Sequence, residues 1–213
     1  MRSEQEIKDK IENTELVIYL DECAAGVLSG DLFVCGVVIK KEALSLLKGV
    51  NDSKKLTEKK RAELYPQIIE LAEDFELVRL TPQEVDTLNI FQARMEGFKR
   101  AINTLAERTG ATYAVIDGNK KPNGLSVETD FLIKADFILP GVSCASIIAK
   151  HSHTVYITEL CRQEIYQKYG FANHKGYGTK VHLDALKLYG PIEGFHRMSY
   201  KPVYINVKKK NTN

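Results

Sequence analysis

The stretch from Glu15 to Cys23 constrains this chain most. Residues Leu16 to Leu20 are apolar, with two β-branched members and one aromatic, a composition that predicts a strand inside a sheet. Asp21 and Glu22 follow without a spacer. Two adjacent carboxylates at the end of a buried strand repel each other unless a proton or a cation lies between them. Taken alone, the pair either caps a loop or forms half of a cation site. The same theme recurs twice: Tyr113 to Ile116 runs into Asp117, and Phe131 to Ala135 runs into Asp136.

The remaining pattern sets the fold class. Leu32 to Ile39 is a second apolar run close behind the first, which predicts an antiparallel neighbour. Phe75 to Leu80 reads as a further strand. Helical patterns cover Lys41 to Lys48, the stretch after an N-cap at Thr57, the stretch after Thr81-Pro82-x-Glu84, Ile90 to Arg108, Pro140 to Lys168 and Thr179 to Tyr189. Tyr169 to Tyr177 reads as a loop rich in glycine and aromatics. Hairpin order followed by alternation predicts an α/β fold: a mixed central sheet, antiparallel at first and parallel later, flanked by helices. A length of 213 residues suits one domain, 1–213, with a polar extension at 1–13 and a basic tail at 204–213.

Several classes drop out. The first thirteen residues lack the apolar core of a secretory signal, and no run reaches the roughly 18 apolar residues of a membrane span. Cys23, Cys35, Cys144 and Cys161 form no close pair, which predicts reduced thiols in a cytoplasmic protein. A formal charge of +2 neither demands nor excludes a nucleic-acid partner.

Asp21, Glu22, Asp117 and Asp136 are therefore all predicted at or just beyond strand ends, where ligand sites of open α/β sheets form. Oxygen ligands without a His or Cys cluster suit Mg²⁺ or Mn²⁺ rather than zinc, and two such ions would support in-line attack of water on a phosphodiester. The competing reading is of ordinary turn acids. Lys54 and Lys55 lie in one polar loop and His174 to Gly178 in another, where cations, glycine and tyrosine could meet a sugar–phosphate chain or simply be solvated.

The motifs carry a resemblance that spacing alone does not supply. Leu20-Asp21-Glu22 with Gly26 and Gly30, Asn51-Asp52-Ser53-Lys54-Lys55-Leu56, Leu88-Asn89-Ile90, Ile116-Asp117-Gly118-Asn119, Lys134-Ala135-Asp136, Ala145 to Lys150, and Tyr169-Gly170-Phe171 through His174-Lys175-Gly176-Tyr177 occur in one order over most of the chain. In these the chain resembles ribonuclease HII, the type 2 ribonuclease H family. The resemblance implies an RNase H-like fold. It also implies endonucleolytic cleavage of the RNA strand in RNA–DNA hybrids and of ribonucleotides embedded in duplex DNA, with two Mg²⁺ or Mn²⁺ ions and 5′-phosphate and 3′-hydroxyl products. By motif position Asp21, Glu22, Asp117 and Asp136 become metal ligands and catalytic residues. Cys23, Ala24, Ala25, Gly26, Asn51, Ser53, Lys54, Lys150 and Tyr177 become nucleic-acid contacts, with Tyr177 near the ribonucleotide–DNA junction. No obligate protein partner is implied, and a monomer is expected.

The chain departs from the family pattern in two places. The usual Gly-Arg/Lys-Gly after the acids is Ala24-Ala25-Gly26, so a basic side chain and a glycine are missing, and the usual proline is Val27. After Lys150 the usual Arg-Asp pair is His153-Thr154; His151 and His153, two apart on a helix, face different ways and make a poor metal pair. The first departure predicts weakened recognition of a single ribonucleotide. It also keeps two alternatives open: a hybrid-binding module that does not cut, and a ribonuclease HIII-like enzyme without preference for single ribonucleotides.

Overall fold

The computed structural model describes residues 2–50 and 56–210, with side chains to residue 206. Five strands form one sheet: β1 Val17–Cys23, β2 Leu32–Val38, β3 Asp74–Leu80, β4 Tyr113–Asp117 and β5 Glu128–Leu132, in the order β3-β2-β1-β4-β5. β1 is antiparallel to β2 and parallel to β4, and β4 is parallel to β5. The mixed sheet expected from the sequence is therefore present, with its antiparallel pair first.

Eleven helices are described: α1 Glu4–Glu12, α2 Lys41–Leu46, α3 Glu58–Leu71, α4 Pro82–Leu88, α5 Ile90–Thr109, α6 Ala135–Ile138, α7 Pro140–Leu160, α8 Glu164–Gln167, α9 Phe171–His174, α10 Lys180–Tyr189 and α11 Lys201–Lys210. Local chemistry explains their starts. Thr57 caps α3 by accepting from the Lys60 amide. Thr81 and Glu84 form a reciprocal capping box on α4. Thr179 caps α10, and Gly190 ends it with a positive φ. The polar extension is helix α1, anchored by buried Ile7, and the basic tail continues as α11 to Lys210.

The chain divides into two compact units. One holds the residues up to Cys23 with 33–78 and 95–151. Its central strands β1, β2 and β4 are almost wholly buried up to their acidic ends. Gly141, on the first turn of α7, lies so close to the Tyr19 ring that a Cβ there would stand 2.4 Å from it. Only glycine lets α7 begin directly on β1. The other unit holds 24–32, 79–94 and the chain from 152 onward. Its core is a cluster of Ile157, Tyr169, Phe171, Ala185 and Phe195, with a second cluster of Leu28, Leu186 and Val203.

Three boundaries differ from the sequence reading. β1 continues through Asp21 and Glu22 to Cys23, so those acids lie within the strand, held by pairing to Cys35 and Val34. β5 ends at Leu132, and Asp136 sits on the one-turn helix α6 after Lys134 takes a left-handed φ of 60°. The long helix expected over Pro140 to Lys168 stops at Leu160 and restarts as α8, and the Tyr169 to Tyr177 loop contains the short helix α9. Periodicity reports apolar faces and not such one-turn reversals.

Candidate active site

Strand register brings the first two acids together. Leu20 is paired with Ile116 across the parallel β1–β4 ladder. The next residues, Asp21 and Asp117, therefore lie side by side on one face, because side chains in paired parallel strands alternate in phase. Asp117 ends β4, and its Oδ1 accepts a 2.8 Å hydrogen bond from the Ala135 amide. That bond fixes the first residue of α6 and carries the following Asp136 toward the pair. The Asp136 carbonyl in turn accepts from the Ser143 hydroxyl of α7.

One carboxylate oxygen from each of Asp21, Asp117 and Asp136 lies within 4.8 Å of the others. Asp21 and Asp136 are buried and Asp117 is half-buried. Burial pushes the Asp21 carboxyl up to about 8, and the negative charges of Glu22 and Asp117 push the same way. A hydrogen bond with Ser146 and the charge of Lys150 oppose that rise. Ser146 and Lys150 are one turn apart on α7, and the Lys150 ammonium donates to the Ser146 hydroxyl at 2.7 Å. Three acids crowded in a dry place, one of them driven toward its protonated form, are the arrangement that a hard divalent cation relieves. The donor set fits such an ion. Glu22 adds its charge to Asp21 but lies outside the closely spaced group, and its amide donates to Asp21 Oδ1 at 2.8 Å.

The proposed nucleic-acid residues divide. Lys150 belongs to the acidic group's surroundings, and Cys23 ends β1. Asn51, Ser53 and Lys54 lie outside the described residues. Ala24, Ala25 and Gly26 begin the second unit as a loop. Ala24 has φ 68°, so the position that the family pattern gives to glycine is indeed left-handed and here carries a side chain. Tyr177 also lies in the second unit, with half of its surface exposed (49%).

Sequence reasoning missed the groups that hold these loops. The Ile192 amide donates to His196 Nδ1 at 2.8 Å, so a neutral His196 carries its proton on Nε2. That proton reaches His182 Nε2 at 3.1 Å, and His182 Nδ1 then donates to the Tyr177 carbonyl at 3.0 Å. Burial holds both imidazoles well below the ordinary range, at about 4 for His182 and about 3 for His196. His153 is buried, and the His151 ring lies tilted against Tyr65 with centroids 4.3 Å apart. Arg197 and Tyr200 grip the Ala24 loop and were also missed. Their partners lie far away in sequence, so no local pattern marked them.

Comparison with known proteins decides the family. The family model for Ribonuclease HII matches residues 18–203. The chain belongs to the ribonuclease HII family. A Ribonuclease HII of Francisella tularensis subsp. tularensis (strain WY96-3418) is 39% identical over 192 residues, covering 89% of this chain and 97% of the relative. The ribonuclease H2 of Pyrococcus horikoshii OT3 has a similar structure, with a TM-score of 0.80 at 26% identity, covering 93% of this chain and all of the other. The RNase H3 of Aquifex aeolicus shares the fold at 22% identity and TM-score 0.70, covering 91% of this chain and 77% of that one. The fold is RNase H-like, and the family makes this chain a nuclease of ribonuclease H type, a phosphodiester hydrolase. Among the described residues, no helix is long and apolar enough to cross a membrane.

Proposed function

We propose that the chain cuts the RNA strand of RNA–DNA hybrids, and ribonucleotides embedded in duplex DNA, by hydrolysis with two divalent cations that leaves 5′-phosphate and 3′-hydroxyl ends. The observation that carries this is the convergence of Asp21, Asp117 and Asp136 within 4.8 Å, in a family of ribonucleases H. These three carboxylates, joined by Glu22, would hold Mg²⁺ or Mn²⁺. When bound, the cations supply an acidified water and neutralise charge that builds on the phosphate and the leaving 3′ oxygen.

The protein's own residues do the rest. The Ala135 amide and the pairing of β1 with β4 fix the acids before substrate arrives, so little reorganisation accompanies catalysis. The Lys150 charge lowers the cost of ionising Asp21. Tyr177 offers a ring face to the sugar or base at the ribonucleotide junction, and the 24–26 loop offers backbone. Asn51, Ser53 and Lys54 contact the phosphate chain in this reading. The family match spans both units, which supports a single catalytic domain acting without an obligate protein partner.

Because Ala25 lacks the family's usual cation, a single ribonucleotide is expected to be a poorer substrate than a run. Cleavage of a hybrid and of a duplex with one ribonucleotide, each with Mg²⁺ and with Mn²⁺, tests both parts. Absence of metal-dependent cutting of either substrate by folded protein would overturn the reading in favour of a binding module. An undiminished preference for the single site would remove the claim about Ala25.

A further inference from the structure

Arg197 is fully buried, and its side chain donates to two backbone carbonyls and one phenol. Nε and one terminal nitrogen donate to the Gly30 carbonyl at 3.1 and 3.0 Å. The other terminal nitrogen donates to the Ala25 carbonyl at 3.0 Å and to the Tyr200 hydroxyl at 3.1 Å. Tyr200 then donates its own proton to the Ala25 carbonyl at 2.7 Å. Nearby carboxylates are engaged elsewhere: Asp31 takes the Arg79 guanidinium at 2.6 Å, and Asp86 accepts from the Met198 and Ser199 amides. Burial without a bonded carboxylate is an expensive way to keep a cation, and it lowers the affinity of Arg197 for its proton.

What it fixes is the 24–30 loop. The far half of that loop is already secured by backbone: Leu28 donates to Gly176, Gly30 donates to Phe195, and Arg197 donates to Leu28. The near half is gripped at the Ala25 carbonyl, which accepts from both Arg197 and Tyr200. A trans peptide is planar, so its carbonyl and the next amide point in opposite directions. With the Ala25 carbonyl drawn inward, the Gly26 amide points outward. Gly26 is exposed, and a Cβ built on it would meet nothing within 4 Å. The loop thus shows solvent a backbone donor with open space around it. Left-handed Ala24, a conformation an alanine avoids, persists because its surroundings are fixed from both ends.

We propose that Arg197 and Tyr200 are positioning residues: together they aim the Gly26 amide at an acceptor oxygen of the substrate's sugar–phosphate chain. With no basic side chain at Ala25, what remains of the recognition by this loop rests on that aimed amide. The proposal rests on the reading above that the 24–26 loop meets the ribonucleotide strand.

The test uses the full chain with three substitutions. Tyr200→Phe keeps the ring and removes one bond to Ala25. It should raise KM for the single-ribonucleotide duplex about three- to tenfold, the range one neutral hydrogen bond carries, with kcat nearly unchanged. Amide exchange should quicken in the 24–27 segment and not in β1. Arg197→Lys, which cannot reach both carbonyls with one fork, should show the same signature more strongly if it folds. Ala25→Glu tests the underlying reading, since an acid at that position repels phosphate if the loop meets substrate. A raised KM for Ala25→Glu with an unchanged Tyr200→Phe would overturn the positioning role alone. So would an equal loss of kcat on both substrates in Tyr200→Phe, which marks general destabilisation. An unchanged Ala25→Glu would overturn the reading of the loop, and the proposal with it.

Discussion

The acidic cluster and the 24–30 loop follow each other directly in sequence and are built by opposite means. Asp21 and Asp117 are placed by a parallel ladder, and Asp136 by a hydrogen bond that its neighbour Ala135 donates from its amide to Asp117. The loop is placed by side chains about 170 residues away, with a strained alanine in its first turn. Regular strands hold a site through many equivalent bonds, so no single one is critical. A loop gripped by one guanidinium and one phenol depends on each. The cluster should therefore answer mutation in kcat, and the loop in KM and substrate choice.

The largest effect should come from Asp117→Asn. The acid is one of the three proposed cation ligands and also orients α6, so cleavage of every substrate should fall by more than the roughly 10–100-fold that loss of a ligand's supporting group costs. Equal activity with and without the substitution would break the comparison at its stronger end.

Asp21→Asn should separate activity from stability. The folded carboxyl titrates at about 8 in the metal-free protein, far above the unfolded value near 3.8. Between those values the folded state binds a proton that the unfolded chain has released, so stability falls as pH rises through this window. The asparagine variant should be inactive yet melt higher than the parent at pH 8 without metal, at roughly 2–4 °C for each kcal/mol recovered. Mg²⁺ affinity of the parent should rise with pH up to about 8, measured by calorimetry, because the ion displaces that proton.

The second unit should respond to acid in the opposite sense. His153, His182 and His196 are held neutral by burial, with folded values of about 4, 4 and 3. The groups facing them deepen this: Arg197 and Lys175 at His153, His174 at His182, and His182 at His196. Below the unfolded value near 6.5 the unfolded chain takes up protons that the folded state refuses. Stability is therefore present above about 6.5 and lost as pH falls toward 4. Melting curves from pH 7.5 to 4.5 should show this loss, and His196→Asn should flatten it.

The smallest effect should be that of Ala24→Gly. Relief of a left-handed alanine and the added freedom of the unfolded chain nearly cancel, which leaves a gain of about 0.5 kcal/mol. A loss in melting temperature would show that the methyl group itself matters to the loop.

The chain's own letters determined the sheet and the acids. Apolar runs ending in Asp21 and Asp117 report burial and charge directly, and the Thr57 and Thr81 caps were legible because capping is a matter of three or four adjacent residues. The family pattern's glycine at position 24 pointed to a special backbone there, and the structure shows it as a left-handed φ. Tertiary structure alone decided the rest. Asp136 looked like a strand end because an apolar run preceded it, and a reversal at Lys134 put it on α6 instead. Arg197, Tyr200 and the His196–His182 relay gave no local signal, since their partners are backbone carbonyls and rings distant in sequence. A residue's burial and charge leave traces in its neighbours, whereas a hydrogen bond to a distant carbonyl leaves none, because every residue carries the same acceptor.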